Sequence, residues 1–246
     1  LIQFEKFPAE KVFVIPNGID VQRFRPRPED RARLRAELGI DAAAPVCGIV
    51  AALRPEKNHE LFLDAAAAVL KKLPAARFLI IGDGPRRAEL EAHAAELSLG
   101  DRALFLGTRS DIPELLAACD LFALTSHNEA NPVSILEALA VELPVVATSV
   151  GSVAESVRPG ETGWLIEPGS VEQAADRWHS LLADRTLAQR FGQAGRRYVV
   201  QHGSLERMVQ GYESLIEEIY QRKSGAQPNS ASSSAGDTAR CSAAER

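Results

Sequence analysis

Two glutamates, Glu129 and Glu137, bound the part of the sequence whose residue types and spacing could do chemistry. Residues 125–140 lie between two apolar runs of strand length, which predicts a strand, a loop and then a helix. Asn131 is a suitable N-cap, and Pro132 suits the first helical position because its missing N–H costs nothing there. The free N–H groups at the positive end of the helix dipole would be those of Val133, Ser134 and Ile135. This pattern predicts an anion site suited to a phosphate.

The two carboxylates would lie on different sides of that phosphate. Ser134 and Glu137 are three residues apart and share a helical face. From this position Glu137 could accept both hydrogen bonds of a ribose diol, while Glu129 precedes the helix in the loop. The alternative is that both glutamates are solvated, and spacing alone favours it because exposed glutamates are common.

Two cations follow another predicted strand. Arg54 and Lys57, in the sequence Arg-Pro-Glu-Lys, come directly after the apolar run at 46–52. At the carboxyl end of a strand they could neutralise a diphosphate, Arg54 through two parallel hydrogen bonds and Lys57 as a point charge. Taken alone, a solvated basic turn before a helix capped by Asn58 is the stronger interpretation.

Other polar residues near predicted strand ends carry weaker signals. Gly82 and Gly84 lack the third glycine of a dinucleotide-binding motif, which favours a tight strand-to-helix turn. Thr108 and Arg109 follow the next strand and could border a base or a sugar. His127 is more typical of a polar loop residue than of a general base, and the five histidines show no metal-ligand spacing.

The elements that must position these residues alternate between strand and helix. Apolar runs predict strands at 12–15, 46–52, 77–81, 103–106, 121–125, 144–148 and 163–166, with helices between them at 28–38, 58–72, 85–97, 111–118, 132–140 and 151–157. Several strands lack polar alternation, as expected for strands buried on both faces. The predicted fold is α/β, a Rossmann-like doubly wound parallel sheet that binds ligands at the carboxyl ends of its strands.

Helical patterns alone follow residue 170, at 170–183, 185–200 and 204–222, and predict a C-terminal helical annex. We predict a Rossmann-like domain over residues 1–200, a last helix over 201–223 and a disordered tail over 224–246, where no aliphatic residue exceeds alanine. The last helix carries one continuous apolar stripe. That stripe either packs on its own domain or is exposed beyond Tyr212 as an interface.

Composition excludes several classes of protein. The net charge, 28 − 33 = −5, disfavours nucleic-acid binding, and the three cysteines show no pairing typical of disulfides or zinc. No apolar run approaches the ~20 residues of a membrane-spanning helix, and no signal peptide is visible. We therefore expect a cytoplasmic protein, with peripheral binding at the inner membrane face as an option.

The order of motifs resembles the family-4 retaining glycosyltransferases, whose GT-B architecture has two Rossmann domains. The resemblance covers about residues 10 to 200. Its landmarks are residues 14–20 with Phe24, residues 54–57, 78–85 and 105–107, Glu129 and Glu137 with seven residues between them, residues 144–147, Gly151, Glu155 and Gly163. The loop after Glu129 reads Ala-Asn-Pro where many members have Gly-Phe-Pro.

The resemblance implies transfer of a hexosyl group from a nucleotide-diphosphate sugar, in polysaccharide or glycoconjugate biosynthesis. Arg54 and Lys57 would hold the donor diphosphate, Glu137 the ribose, and Glu129 the donor sugar beside the reacting carbon. Backbone groups that bind sugar and phosphate would come from Asn131, Pro132, Val133 and Ser134. No metal or other cofactor is expected, because the cations and the helix start would stabilise the leaving diphosphate.

The resemblance also implies a partner domain, because the chain begins where the second domain of the family begins. In the family, the first domain binds the acceptor, here a glycan or lipid glycan, and supplies a glycine-rich loop and a histidine. The alternative function is a nucleotide-sugar-binding module without transferase activity of its own. A third, a sugar-nucleotide epimerase with the same architecture, is disfavoured by the landmarks.

Overall fold

The computed structural model describes residues 7–8 and 11–224. Of the tail predicted over 224–246, Ser224 is the last residue of a helix, and the rest lies outside the described residues. One parallel sheet contains β1 (Val46–Val50), β2 (Arg77–Ile81), β3 (Ala103–Gly107), β4 (Leu121–Leu124), β5 (Val145–Thr148) and β6 (Gly163–Ile166). The strand order is β3-β2-β1-β4-β5-β6. This is the doubly wound order, and it confirms the predicted Rossmann-like α/β fold.

The strands form because both faces of the sheet are covered. In β2, Phe78 and Ile80 pack into one apolar cluster, while Leu79 and Ile81 pack into the other. Successive side chains of a strand point to opposite faces, so a strand between two helical layers needs apolar residues at every position. The uninterrupted apolar run in the sequence follows from this burial.

The helices are α1 (Pro28–Glu37), α2 (His59–Leu70), α3 (Arg87–Glu96), α4 (Ile112–Ala117), α5 (Val133–Ala140), α6 (Val153–Ser156), α7 (Val171–Ala183), α8 (Arg185–His202) and α9 (Leu205–Ser224). Helices α2, α3 and α7 supply one apolar cluster, and α1, α4 and α5 supply the other. Up to Ser224, three helices follow the last strand, as the predicted annex requires. The first of them, α7, packs on the sheet through Trp178, whose ring centroid lies 6.2 Å from that of Phe78 in β2 and 4.9 Å from that of Phe62 in α2.

The strand predicted at 12–15 is wrong. Residues 12–18 are irregular, and the side chains of Phe13 and Val14 are exposed. Apolar β-rich composition does not make a strand where the segment has no place in a sheet. The nearest regular contact is at Ile19, whose N–H donates to the Gly203 carbonyl at 2.9 Å and whose carbonyl accepts from Leu205 at 2.8 Å.

The chain divides into two units, residues 1–208 and 209–246. In the second unit the described residues continue α9, and its exposed apolar side chains are Val209, Tyr212, Ile216, Ile219 and Tyr220. Exposure of these side chains favours the second of the two alternatives for the stripe, while its role as an interface and its crossing toward another domain stay predictions. Within residues 11–224, no helix is long and apolar enough to cross a membrane.

The centre of the sheet fixes the position of the candidate site. Strands β1 and β4 are parallel neighbours, with Cys47 paired to Leu121 and Gly48 to Phe122. From this pair the strand order runs outward in opposite directions, which opens a crevice at the carboxyl ends of both strands. The loops that leave β1 and β4 carry the predicted cations and Glu129.

Candidate functional site

The loop after β1 is a short helical turn, Pro55–Lys57, followed by Asn58 in the left-handed region at φ 47°. Asparagine tolerates this conformation, and its side chain accepts a hydrogen bond from the Leu61 N–H at 3.4 Å. Asn58 therefore caps α2, as predicted. The turn projects from the strand end, and the Arg54 side chain forms no ion pair among the described residues.

The loops after β1 and β4 are bound to each other. The His127 N–H donates to the Glu56 carbonyl at 2.8 Å, so the backbone of this histidine has a structural role. The Thr125 hydroxyl lies 2.9 Å from the Asn58 carbonyl and 3.2 Å from that of Lys57. These contacts make one unit of two loops that are distant in sequence.

Lys57 and Glu129 form an ion pair, with Nζ 2.7 Å from Oε1. The Glu129 side chain is 7% exposed, and the Ser126 hydroxyl donates to the same oxygen at 2.6 Å. Glu129 is therefore not the solvated loop residue of the alternative interpretation. An ammonium has three donors, so Lys57 can hold Glu129 and still donate twice to an anion.

The start of α5 differs from the prediction by one residue. Pro132 is extended, at φ −73° and ψ 108°, so it is the residue before the helix, and Asn131 does not cap it. The Ile135 N–H bonds the Pro132 carbonyl at 3.2 Å and is not free. Within the described part of the chain, the N–H groups of Val133 and Ser134 remain available to an anion.

Asn131 contacts the segment that leads into the first helix. The Asn17 side chain donates to the Asn131 carbonyl at 3.3 Å. The Asn131 Oδ1 atom is buried and has no hydrogen-bond donor among the described residues.

Glu137 lies near a cavity of about 390 Å³ at the carboxyl ends of β1, β2 and β3. Burial raises the pKa of Glu137, and the charge of Arg23 partly offsets the rise. Because Glu137 is half-buried in the lining of this cavity, the solvated alternative does not describe it either. Other side chains and backbone groups around the cavity come from Ala51, Gly82, Asp83, Thr108 and Arg109.

Two residues at the cavity are held by local contacts. Gly82, at φ 138°, touches the Ala51 carbonyl where any Cβ would overlap it, which supports the predicted tight turn. The Arg109 guanidinium is fixed by two hydrogen bonds to Asp111, at 2.7 and 2.5 Å. The lining of the cavity therefore includes a close backbone turn at Gly82 and the fixed positive charge of Arg109.

A third loop fixes the backbone of Glu129. Gly151, at φ 53°, lies against the Glu129 carbonyl so closely that a Cβ would overlap it. The Ser152 hydroxyl contacts the Ala130 carbonyl. The sequence motifs include Gly151 only as a landmark, and a glycine after a strand does not by itself signal this contact.

The comparisons with known proteins agree on one family. The model of the family Glycosyl transferases group 1 matches residues 30–198. The N-acetyl-alpha-D-glucosaminyl L-malate synthase of Bacillus anthracis is 30% identical over 212 residues, which are 86% of this chain and 55% of the relative. The chain spans about half the length of the curated relatives it matches.

Solved structures show the same fold. HepE of Anabaena, crystallised with UDP-glucose, superposes with a TM-score of 0.79 at 32% identity, covering 85% of this chain and 58% of that chain. The C-terminal domain of the glycosyl transferase LpcC of Francisella tularensis has a TM-score of 0.69 at 30% identity, covering 76% of this chain and 100% of that chain. The chain belongs to the glycosyl transferases of group 1.

Proposed function

We propose that this chain binds a nucleotide-diphosphate sugar in the crevice between β1 and β4, as the donor-binding half of a retaining hexosyltransferase. The observation that carries the proposal is the 2.7 Å contact between Lys57 and Glu129. In such a donor the phosphate is bonded to the reacting carbon of the sugar. A cation for the phosphate and a carboxylate for the sugar must therefore be neighbours.

The donor would extend along the carboxyl ends of the strands. Its base and ribose would occupy the cavity beside Glu137, a half-buried carboxylate suited to a diol. Its diphosphate would accept hydrogen bonds from the side chains of Arg54 and Lys57 and from the N–H groups of Val133 and Ser134. Backbone groups of Asn131 and Pro132 would lie beside the sugar. The hexose would then meet Glu129.

The proposed reaction exchanges one bond at the anomeric carbon for another. The bond to the phosphate oxygen breaks and its electron pair stays on the diphosphate, while the acceptor oxygen bonds to the same face. The acceptor proton moves to a phosphate oxygen. Arg54, Lys57 and the start of α5 would stabilise the charge on the diphosphate, so we propose that no metal is required.

The names and bound ligands of similar proteins support this proposal. HepE was crystallised with UDP-glucose, and the B. anthracis relative is named as a glucosaminyl L-malate synthase. The match between this chain and the C-terminal domain of LpcC covers the whole of the LpcC domain and 76% of this chain. We propose that a domain outside this chain binds the acceptor, a glycan or lipid glycan, and that the protein acts in the cytoplasm or at the inner membrane face.

Acceptor-dependent release of nucleotide tests the transferase. UDP-, GDP- and ADP-sugars are supplied with and without an acceptor-binding domain taken from a relative. We expect release only when that domain and an acceptor are present, and EDTA should not reduce it. Donor binding without release in either case would favour the binding module, while absence of binding would contradict both.

A further inference from the structure

The Glu129 carboxylate uses only one oxygen for its contacts with the described residues. Oε1 receives the Lys57 ammonium at 2.7 Å and the Ser126 hydroxyl at 2.6 Å. Oε2 has no hydrogen-bond donor in the part of the chain that the structure describes. The two donors together therefore decide which oxygen of Glu129 is left for a ligand.

The two donors are not equivalent. The Lys57 side chain is 24% exposed and its flexible stem can turn toward an anion. Ser126 is fully buried, so its hydroxyl has no access to water, and Glu129 is its hydrogen-bond acceptor among the described residues. A hydroxyl bound to a charged carboxylate forms a strong hydrogen bond, and breaking it inside the protein leaves two buried groups unsatisfied.

Ser126 is itself held in place. Its carbonyl accepts a hydrogen bond from the Thr148 hydroxyl at 2.6 Å, and Thr148 is the buried last residue of β5. Ser126 follows the end of β4 by two residues. Its hydroxyl is thereby fixed relative to two neighbouring strands at the centre of the sheet.

We propose that Ser126 is a positioning residue, which keeps Oε2 of Glu129 directed at the donor sugar while Lys57 also engages the diphosphate. The inference rests on the proposed function, because it needs a ligand that engages Lys57 and Glu129 together. Ser126 acts through Glu129 and makes no contact with the donor. Its effect is confined to the sugar end of the ligand.

The test compares ligands that differ only in the sugar. Dissociation constants are measured by calorimetry for UDP against UDP-glucose, for GDP against GDP-mannose and for ADP against ADP-glucose, using the pair that wild type binds most tightly. The quantity of interest is the ratio of the two constants within that pair. Ser126→Ala should shift the ratio against the nucleotide sugar by about threefold to tenfold, the range of one hydrogen bond.

Matched variants separate positioning from folding. Thr162→Val removes another fully buried hydroxyl, which accepts from the Arg158 N–H at 2.9 Å at the amino-terminal side of β6, and should leave the ratio unchanged. Ser126→Thr keeps a hydroxyl, so its ratio of dissociation constants should lie close to that of wild type. In a Glu129→Ala background, Ser126→Ala should have no further effect on it. If Ser126→Ala does not fold, Ser126→Cys, a weak donor of similar size, replaces it with the same expectation.

A ratio equal to that of wild type in folded Ser126→Ala would overturn the inference. An equal loss of affinity for both ligands would do the same, because it would mean a structural role alone. Failure of the proposed function would look different, since wild type would then bind none of UDP, GDP and ADP.

Discussion

Lys57 Nζ lies 2.7 Å from Glu129 Oε1, although the two residues are 72 positions apart in the chain. The contact exists because β1 and β4 are neighbours, so that the loops leaving their carboxyl ends meet. Lys57 ends the short helical turn after β1, and Glu129 lies in the loop after β4. The topology of the sheet therefore builds the centre of the candidate site.

Replacement of the two cations should weaken binding of a nucleoside diphosphate. Arg54→Ala and Lys57→Ala should each cost about 1–3 kcal/mol of binding free energy, the range of charge-assisted hydrogen bonds. Calorimetric titration with UDP and GDP measures the effect. Unchanged dissociation constants in the double variant would contradict the assignment.

Lys57→Ala has a structural consequence that needs its own control. It leaves the buried Glu129 carboxylate without its cation, so urea unfolding must be followed in parallel. Lys72→Ala removes an exposed lysine whose partner is Asp176, at 3.2 Å, and should change neither binding nor stability appreciably.

Substitution of Glu137 should act on the ribose. Glu137→Gln should weaken UDP or GDP while leaving inorganic pyrophosphate almost unaffected, because only the nucleotides carry the diol. The same variant should discriminate less between UDP and 2′-deoxy-UDP. An equal loss for pyrophosphate and nucleotide would place the ribose elsewhere.

Replacement of Glu129 should reduce transfer more than binding. In a protein completed by an acceptor-binding domain, Glu129→Ala should lower kcat far more than it raises the dissociation constant of the free nucleotide. The reason is that the proposed contact is to the sugar beside the reacting carbon. Turnover close to that of wild type would leave Glu129 as a structural partner of Lys57 only.

The sheet could be predicted because burial on both faces leaves a direct trace in the sequence. Strands β2 and β6 begin and end where the apolar runs predict. The apolar run at 12–15 wrongly predicts a strand, because amino-acid composition does not reveal whether a neighbouring strand is available to form hydrogen bonds with it. The sequence predicts Pro132 one residue too far into the helix, because the fixed φ of proline suits both positions and only the observed ψ of 108° distinguishes them.

The site could be predicted as a set of residues but not as a set of contacts. Strand ends and residue types identify Lys57 and Glu129, yet their hydrogen bond depends on the pairing of β1 with β4. The role of Ser126 could not be predicted, because serine is common in loops and the sequence does not show that its hydroxyl contacts Glu129. The close approach of Gly151 likewise follows from tertiary packing alone.

Gly151 should tolerate no side chain. Gly151→Ala forces a Cβ onto the Glu129 carbonyl, whereas Gly39→Ala, at φ 66° with nothing within 4 Å, carries only the cost of the left-handed backbone. We expect about 1–2 kcal/mol lost for Gly39→Ala and at least ~2 kcal/mol more for Gly151→Ala. Free energies of unfolding in urea measure both, and equal losses would contradict the tight contact.

Stability should fall on acidification through His59. Its ring is buried, neither nitrogen has a partner among the described residues, and burial lowers its pKa from 6.5 to about 4. The unfolded chain therefore takes up the proton first as pH falls. The contribution of neutral His59 to the free energy of unfolding is fully present above about pH 6.5. As pH falls from 6.5 to 4, roughly 3 kcal/mol of this free energy is lost.

The pH dependence of unfolding tests this directly. In His59→Leu the decline of the free energy of unfolding between pH 6.5 and 4 should be shallower than in wild type by about that amount. An identical decline in the two proteins would show that His59 does not titrate in this way.

A crystal structure of this chain with the nucleotide sugar that it binds most tightly tests the central claim most directly. The account predicts the diphosphate at the start of α5, with a phosphate oxygen within hydrogen-bond distance of Lys57 Nζ. It also predicts a hydroxyl of the sugar within hydrogen-bond distance of Glu129. A diphosphate bound away from Lys57, or a sugar that does not reach Glu129, would contradict the account.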